Sequence, residues 1–439
     1  MPGDGGTFTL INGTPYTWQK TGQHSYQMNS WYFPDTIASG TTYRAFVEWD
    51  KNPFKHLGDD SGDVTFRLEG TDKHFQLRAR VVKNQLILQA YLDGITTAGN
   101  PQGSTIDLGW RHDQDTPFIL CGTVEHFWSS NPPAAWMQSQ LPLIGNRKLR
   151  HVCMPGSHDA GMSKIDGHTL LGGIPEHVLT QSQDIAHQLA SGSRYFDVRP
   201  VIAAGHYKTG HYSKMGNTLK GQGANGQSIA EIVDQINAFT ATNAELIVVL
   251  LSHDFNTDDG YRGLTQNEYE GLLKELCGIK DLYVAPDPVN VDLSEMTLHD
   301  FIGNGRAAVI CIVQSTIALG DYNHKGFYRY NQHNVYNNYS ETRDLDLMIK
   351  DQLKKLTQQR SSPDNSLFLL SWTLTEDATS IILEGSSILD FARKTDPALF
   401  NGQLTSVCNK STYPNIIYVD DFRSEVTALA MHINAWLAS

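Results

Sequence analysis

The sequence lacks the long apolar stretches that mark membrane proteins. It contains no run of about 18 apolar residues, which is the length that a membrane-spanning helix needs. The first residues, Met1 to Gly6, contain neither the basic nor the apolar segment of a signal peptide. We therefore expect a soluble protein without an export signal, and we favour the cytoplasm over secretion by a non-standard route.

Cysteine and basic residues are also scarce. No two of the five cysteines have the C-x-x-C spacing of many metal and redox sites, and a buried free thiol is common in apolar runs such as those around Cys153 and Cys311. Lys and Arg number 34 against 47 Asp and Glu, so the net charge is -13. This balance argues against nucleic acid or an anionic membrane as a long-range electrostatic partner.

The chain is long enough for two domains, because its 439 residues have an ordinary globular composition of 40% hydrophobic and 18% charged residues. In the first part, apolar and polar residues alternate with a period of two, which is typical of half-buried strands. The Pro-Pro segment from Ser129 to Ala135 has the composition of a linker. We predict an accessory domain over residues 1–135, an antiparallel β-sandwich, and a second domain over 136–439.

In the second part, apolar strands alternate with amphipathic helices. One helix begins at Ser228, which forms a capping box with Glu231. Such alternation over this length predicts a distorted α/β TIM barrel. An open doubly wound sheet is the alternative, weakened because no G-x-G-x-x-G follows a strand. The predicted strands are 149–153, 195–198, 246–251, 307–313, 367–370 and 416–419, and the predicted helices are 228–236, 267–276, 344–356 and 424–437.

Polar residues follow most of the predicted strands, and in a barrel these positions share one mouth. The octapeptide Met154 to Gly161 places His158 and Asp159 after the first strand on a turn that contains Pro and Gly. The other candidates at or near strand ends are Asp197, Arg199, His211, Ser252, His253, Asp254, Trp372, Thr373, Asp420 and Asp421.

This set of residues suits the cleavage of a phosphodiester. Two imidazoles can serve as base and acid in one displacement, and a guanidinium can bind a phosphoryl group through two hydrogen bonds. Arg199 places a fixed positive charge where a carboxylate-bound cation would otherwise lie. We therefore predict no metal and no cofactor.

Met154 to Gly161, together with Tyr195 to Arg199 and Gly210-His211, resembles the X-domain of the phosphatidylinositol-specific phospholipases C of the bacterial and fungal single-barrel kind. The resemblance covers approximately residues 140–439. It implies a distorted TIM barrel that cleaves the lipid by attack of the inositol 2-hydroxyl, giving diacylglycerol and a cyclic inositol phosphate. The calcium-dependent branch has Asn after the first His and an acidic residue at the place of Arg199, and this chain departs from it at both points.

The resemblance also implies roles for the site residues. His158 would be the general base and His211 the general acid. Arg199 would bind the phosphate, Asp159 would assist the acid, and Asp197 would orient Arg199 or the 2-hydroxyl. The carboxylate partner of the base lies on the last strand, where we choose Asp420 over Asp421 because it follows the apolar run directly. We assign further substrate contacts to His253 and Trp372.

Two alternatives and several partners stay open. The barrel could act on a different phosphodiester, or it could be vestigial in a lipid- or glycan-binding protein. The expected partners are a phospholipid or inositol phosphate substrate, a peripheral membrane surface and a glycan bound by the first domain, but no nucleic acid. The segments Asn12 to Trp18 and Asn29 to Pro34 resemble aegerolysin- and actinoporin-type sandwiches. We favour a core role over a membrane platform for their aromatic cluster, which comprises Tyr16, Trp18, Trp31, Tyr32 and Phe33.

Overall fold

The structure is a computed structural model that describes residues 4–51, 57–110, 112–169, 173–215, 219–375 and 387–438. Contacts divide the chain into two units. The first comprises Met1–Pro133, Asp396–Cys408 and Ala428–Ser439, and the second comprises Ala134–Thr395 and Asn409–Thr427. The domain limits of 1–135 and 136–439 stay a prediction. No local pattern in the sequence indicates that two C-terminal segments group with the first unit.

The first unit contains two β-sheets. A five-stranded sheet has the order β11-β10-β1-β5-β3, and a six-stranded sheet has the order β4-β2-β6-β7-β8-β9. The strands are β1 Asp4–Gly13, β2 Trp18–Tyr26, β3 Met28–Trp31, β4 Thr36–Ile37, β5 Thr42–Trp49, β6 Ser61–Leu68, β7 His74–Val82, β8 Gln85–Tyr91, β9 Thr105–Gly109, β10 Asp115–Gly122 and β11 Phe127–Ser129.

Both sheets contribute side chains to one buried apolar cluster. Trp18, Trp31 and Phe33 belong to it, as the core role predicts, whereas the side chain of Tyr32 is 78% exposed. β1 and β10 run parallel, so the prediction of purely antiparallel pairing is wrong for the five-stranded sheet. The alternating pattern could not reveal this, because it reports which face of a strand is buried and not the direction of its neighbour.

The second unit contains an eight-stranded parallel sheet with the order β20-β19-β17-β13-β12-β23-β22-β21. A smaller sheet has the order β16-β15-β14-β18. The strands are β12 Met154–Ser157, β13 Tyr195–Val198, β14 Pro200–Ala203, β15 His206–Met215, β16 Leu219–Ser228, β17 Leu246–Leu251, β18 Phe255–Asn256, β19 Ala308–Val313, β20 Phe327–Arg329, β21 Val335–Asn337, β22 Leu367–Trp372 and β23 Ile416–Val419.

The eight parallel strands form a TIM-like barrel. They follow one another around the sheet in chain order, and the last strand, β23, pairs in parallel with the first, β12. The ring is open at one seam, because no pairing between β20 and β21 occurs in the described part of the chain. All strand carboxyl ends of such a barrel lie at one mouth, where TIM-barrel enzymes have their active sites.

The predicted residue range of the first strand, 149–153, is wrong. Residues Leu149–His151 form a 3₁₀ helix, and the strand begins only at Met154. The apolar run contains Arg150 and His151, and a short run of this kind does not distinguish a strand from a helical turn by period alone. Part of the octapeptide is therefore the strand itself, and His158 is the first residue after it. The two short strands at the seam, β20 and β21, were not predicted.

Most of the helices lie in the second unit. The capping box of Ser228 and Glu231 at the start of α4 is confirmed. Within the described residues no helix combines the length and apolar character needed to cross a bilayer, and none of the five cysteines forms a disulfide bond there. The helices are α1 Trp136–Ile144, α2 Pro175–Val178, α3 Ile185–Ala190, α4 Ile229–Thr240, α5 Gln266–Leu276, α6 Leu298–Ile302, α7 Tyr330–His333, α8 Leu345–Gln359, α9 Ile388–Phe400, α10 Gln403–Val407 and α11 Ser424–Ala438.

Candidate active site

Three neighbouring strands bring the predicted site residues together. β13, β12 and β23 lie side by side in the sheet. Arg199, His158 and Asp420 are each the first residue after one of these strands. Because the carboxyl ends of parallel strands share one edge, residues far apart in sequence become neighbours there.

His158 lies between a carboxylate and a guanidinium. Its Nδ1 is 2.7 Å from Oδ1 of Asp420, and Nη2 of Arg199 is 2.6 Å from its Nε2. A guanidinium can only donate, so Nε2 is the acceptor and Nδ1 carries the proton that His158 donates to Asp420. The arrangement therefore selects the tautomer in which Nε2 carries a lone pair and no proton, as a general base requires.

His211 has a carboxylate partner of its own. It lies in β15, and its Nδ1 donates to Oδ2 of Asp159 over 2.7 Å. The same oxygen is 3.5 Å from Nη1 of Arg199, which links the two histidines through one guanidinium. Asp159 is fully buried, and its other oxygen, Oδ1, has no hydrogen-bond partner among the described residues. The two imidazoles are thus oriented separately, each by a different aspartate.

Asp197 is the most heavily hydrogen-bonded carboxylate of the site. Its Oδ2 accepts from Nε of Arg199 at 3.1 Å, the hydroxyl of Tyr418 at 2.6 Å and the backbone N–H of Asp159 at 3.2 Å. Its Oδ1 accepts from Oγ of Ser252 at 2.5 Å. Both oxygens are occupied, which favours the orientation of Arg199 over contact with a substrate hydroxyl as the role of Asp197.

The charges of Asp197 and Arg199 hold each other in place. Burial acts to raise the pKa of Asp197, but Arg199 and His158 outweigh it and hold that pKa well below its usual range. For Arg199, burial acts to lower the pKa, and Asp197 and Asp159 raise it above its usual value. An unpaired buried charge would cost several kcal/mol, whereas this ion pair is satisfied by hydrogen bonds on both sides. Arg199 is therefore a permanent cation at the barrel mouth.

The structure also distinguishes the two aspartates after β23. Asp420 contacts His158, whereas Asp421 accepts hydrogen bonds from the Ser182 hydroxyl and, at 2.6 Å, from Nη2 of Arg423. Of these two aspartates, Asp420 is thus the one that contacts His158, and its role as partner of a base stays a prediction. The side chains of Asp420 and Asp159 are 5% and 0% exposed, against 18% for His158 and 21% for His211. The carboxylates are inside, and the imidazoles reach toward solvent.

The other two predicted substrate contacts lie in different surroundings. His253 is exposed directly beyond β17, and its Nδ1 is 3.0 Å from Oγ of Ser252. The surrounding protein and the charge of Arg199 lower the pKa of His253. Trp372 is fully buried, and its Nε1 donates to the carbonyl of Thr395 over 3.0 Å. That placement favours a packing role for Trp372 and not direct contact with substrate.

Three residues at strand ends have left-handed backbone conformations. The φ angles are 40° at Asp159, 50° at His253 and 45° at Asp421. A positive φ is uncommon for a residue other than glycine, and such strain concentrates at functional sites. Turns of this kind redirect the chain directly after β12, β17 and β23.

Two hydroxyl groups of the site had no predicted role, because Ser252 was placed at the mouth without one and Tyr418 was not among the candidates. Tyr418 precedes Asp420 by two positions in β23, so the period of two places both on one face of the strand. Ser252 follows β17 in the same way that His158 follows β12. These signals were present in the sequence, but nothing there showed that both hydroxyls reach Asp197. In the part of the chain that the structure describes, no group of three or more His, Cys, Asp or Glu residues is arranged to hold a metal ion.

Three solved structures are similar to this chain. A mutant of the phosphatidylinositol-specific phospholipase C from Staphylococcus aureus is 16% identical with a TM-score of 0.49, over 69% of this chain and 98% of that chain. A structure concerned with membrane binding of the S. aureus enzyme is 16% identical to this chain, with a TM-score of 0.48 and the same coverage of both chains. The phosphatidylinositol-specific phospholipase C of Listeria monocytogenes is 15% identical to this chain with a TM-score of 0.46, over 68% of this chain and 98% of that chain. No protein-family model and no curated protein matches the sequence. Identities this low do not fix an activity.

Proposed function

We propose that this protein is a phosphodiesterase of the phospholipase C type, which cleaves phosphatidylinositol by acid-base catalysis without a metal. The observation that carries the proposal is the pair of imidazoles, each oriented by its own buried aspartate, on either side of Arg199. The resemblance of Met154 to Gly161 to the phosphatidylinositol-specific phospholipases C supports the choice of substrate.

The first step uses the lone pair on Nε2 of His158. The phosphate group of the substrate accepts hydrogen bonds from the guanidinium of Arg199, which withdraws Nη2 from Nε2 of His158. Nε2 then takes the proton of the inositol 2-hydroxyl, and the oxygen attacks phosphorus. The imidazolium that forms is stabilised by Asp420, which accepts a hydrogen bond from its Nδ1. Arg199 balances the charge that develops on the phosphoryl oxygens.

The second half of the displacement uses His211. Its Nδ1 is held by Asp159, and no described residue occupies Nε2, so a protonated His211 can deliver the Nε2 proton to the leaving oxygen. The phosphorus–oxygen bond to diacylglycerol breaks, and the products are diacylglycerol and the cyclic inositol phosphate. Solvent then removes the proton from His158 and returns one to His211. General acid-base groups of this kind each contribute about 10²- to 10⁴-fold to a rate.

We also propose that residues 1–135 form an accessory β-sandwich domain. The buried cluster with side chains from both sheets supports this interpretation. A lipid substrate would place the protein at a membrane surface. Tyr26, Tyr32 and Phe46 are apolar side chains of this unit that are at least half exposed, and they are available for contact with lipid or glycan. The cytoplasm remains the proposed compartment.

A panel of substrates tests the proposal. Vesicles of phosphatidylinositol, phosphatidylcholine and phosphatidylethanolamine, and a soluble glycerophosphodiester, are incubated with the protein and the released products are measured. Turnover of phosphatidylinositol well above the other three is expected. Turnover of a different member would identify another phosphodiester as substrate. Vesicle binding without any turnover would favour a binding protein with a vestigial barrel and would overturn the proposal.

A further inference from the structure

Tyr418 is a buried residue of β23 whose hydroxyl contacts a carboxylate of the candidate site. Tyr418 lies in β23 and Asp420, two positions later, directly follows the strand, so the period of two places Tyr418 on the same face as the aspartate that holds His158. Its hydroxyl is 2.6 Å from Oδ2 of Asp197. Its ring packs edge-on against the imidazole of His158, with 5.2 Å between centroids and 60° between planes. One side chain therefore contacts both the base and the carboxylate that holds Arg199.

The direction of the hydrogen bond follows from the charges. Arg199 and His158 hold the pKa of Asp197 low against the effect of burial, so its carboxylate can only accept. Burial and the negative charge of Asp197 raise the pKa of the Tyr418 hydroxyl, which therefore stays protonated and donates.

Oδ2 of Asp197 is fixed by more than one donor. The Tyr418 hydroxyl and the backbone N–H of Asp159 approach the oxygen that also accepts from Nε of Arg199. The bond at Nε sets the plane of the guanidinium, because that group is rigid and planar. The plane in turn sets the directions of Nη1 and Nη2, which face Asp159 and His158.

We propose that Tyr418 is a positioning residue, which holds Asp197 and through it aligns the guanidinium of Arg199 for the phosphate. This inference rests on the proposed function for its effect on catalysis. The alignment of Arg199 itself does not depend on any turnover.

The chain contains a matched control in Tyr195. Its ring is fully buried in the same barrel and packs edge-on against Tyr418, with centroids 6.4 Å apart. Its hydroxyl, however, has no hydrogen-bond partner among the described residues. Tyr418→Phe and Tyr195→Phe therefore remove the same atom from the same interior, but only the first removes a bond to Asp197.

The kinetic test compares these variants with and without Asp197→Asn. Tyr418→Phe should lower kcat by about 10- to 100-fold, the effect of one lost hydrogen bond to a charged group, and leave KM nearly unchanged. Tyr195→Phe should match the wild type. In the Asp197→Asn background, Tyr418→Phe should change kcat by no more than about twofold, because a residue that acts through Asp197 has nothing left to act on. Additive effects in the double variant would overturn the inference.

The second readout is the Nε–H signal of Arg199 in a proton–nitrogen NMR spectrum, identified by its loss in Arg199→Lys. We expect a signal protected from exchange in the wild type and in Tyr195→Phe, and a shifted or broadened one in Tyr418→Phe. An unchanged signal in Tyr418→Phe, or no protected signal in the wild type, would overturn the inference. If Tyr418→Phe does not fold, the Nε–H signal is measured in Asp197→Asn instead. An undisturbed signal in that variant would also overturn the inference. Absence of phosphatidylinositol turnover with the expected NMR result would reject the proposed function alone.

Discussion

At the scale of single residues, the two histidines differ in what binds each ring. His158 has both nitrogens engaged, by Asp420 and Arg199, whereas only Nδ1 of His211 has a partner in the described residues. A base must be freed by the arriving phosphate, and an acid must be open to the leaving group. The difference in attachment matches the difference in the proposed roles.

Loss of either imidazole should abolish most of the activity. His158→Ala and His211→Ala should each lower kcat/KM by about 10²- to 10⁴-fold, since each removes one partner of the proton transfer. The midpoint of thermal unfolding should fall moderately, because each change leaves a buried aspartate without its imidazole partner, while a cooperative transition should show that the variant still folds. Steady-state kinetics and calorimetry measure the two quantities. His187→Ala, at a largely exposed position, serves as the control. A near-wild-type rate in one variant would remove that histidine from its role.

Substitution of the two aspartates after β23 should affect different properties, namely kcat for Asp420 and stability for Asp421. Asp420→Asn replaces the acceptor of the His158 Nδ1–H and should lower kcat by at least about 10²-fold, since an amide there favours the wrong tautomer. Asp421→Asn leaves that bond intact and should mainly reduce the free energy of unfolding, through weaker contacts to Ser182 and Arg423. Kinetics and urea unfolding of both variants provide the comparison. The reverse ranking of kcat would assign the partner role to Asp421.

Several site residues were predictable because a strand end exposes them to a common mouth. His158, Arg199 and Asp420 follow this rule directly. The bonds from Tyr418 and Ser252 to Asp197 were not predictable, since they join three strands and depend on distances that no sequence spacing reports. Trp372 was assigned to the mouth from its position near a strand end without regard to the face, and its contact with substrate stays a prediction although its side chain is buried and bonded to Thr395.

At the scale of elements, the period of two in β22 decides which side chains can reach the mouth. Ser371 and Thr373 lie on one face and share a hydrogen bond of 3.1 Å, whereas Trp372 lies on the other and bonds to Thr395. The alternation was readable from the sequence, but which face is the barrel interior follows only from the order of the strands around the curved sheet.

Trp372→Phe should therefore affect stability and not substrate binding. The change removes the hydrogen bond from Nε1 of Trp372 and leaves the buried carbonyl of Thr395 without that donor. The loss should lower the unfolding free energy by about 1–3 kcal/mol. The KM for phosphatidylinositol should stay within about twofold of the wild type. Urea unfolding and initial rates measure the two effects. A large rise in KM with unchanged stability would restore Trp372 as a substrate contact.

The short elements explain why the barrel could not be predicted strand by strand. β12, β20 and β21 contain four, three and three residues, too few for any period to be recognised. The longer strands, such as β17, and the capped helix α4 were predicted within a few residues. Local signals thus indicated the class of the second unit, and long-range pairing determines its register.

At the scale of the whole molecule, buried histidines should make the fold sensitive to acid. His333 is fully buried and stacks on Tyr195, and neither of its nitrogens has a hydrogen-bond partner in the described part of the chain. Burial lowers the pKa of His333 to about 4 from its usual value near 6.5. The unfolded chain therefore binds more protons than the folded one between these values, and stability rises with pH across that interval.

Replacement of His333 should reduce this dependence. His333→Phe keeps an aromatic ring against Tyr195 but cannot bind a proton. Between pH 7 and pH 5 the wild type should lose about 2 kcal/mol of unfolding free energy more than the variant. Urea unfolding at the two pH values measures the difference, and His187→Ala should behave as the wild type does. An equal loss in His333→Phe would show that His333 does not titrate with unfolding.

The division of the chain into two units is also a property of the whole molecule. The change from alternating strands to strand-helix repeats was visible near the Pro-Pro segment, because composition and period both change there. The assignment of Asp396–Cys408 and Ala428–Ser439 to the first unit was not visible, since amphipathic helices in either unit have the same pattern.

The central claim is cleavage through a cyclic phosphate with no metal, and phosphorus NMR of phosphatidylinositol vesicles in EDTA tests it most directly. The account predicts that the lipid signal falls while that of a cyclic inositol phosphate grows in equal amount, and that neither change occurs with His158→Ala. An open-chain phosphate as the first product, or a reaction that EDTA abolishes, would contradict it.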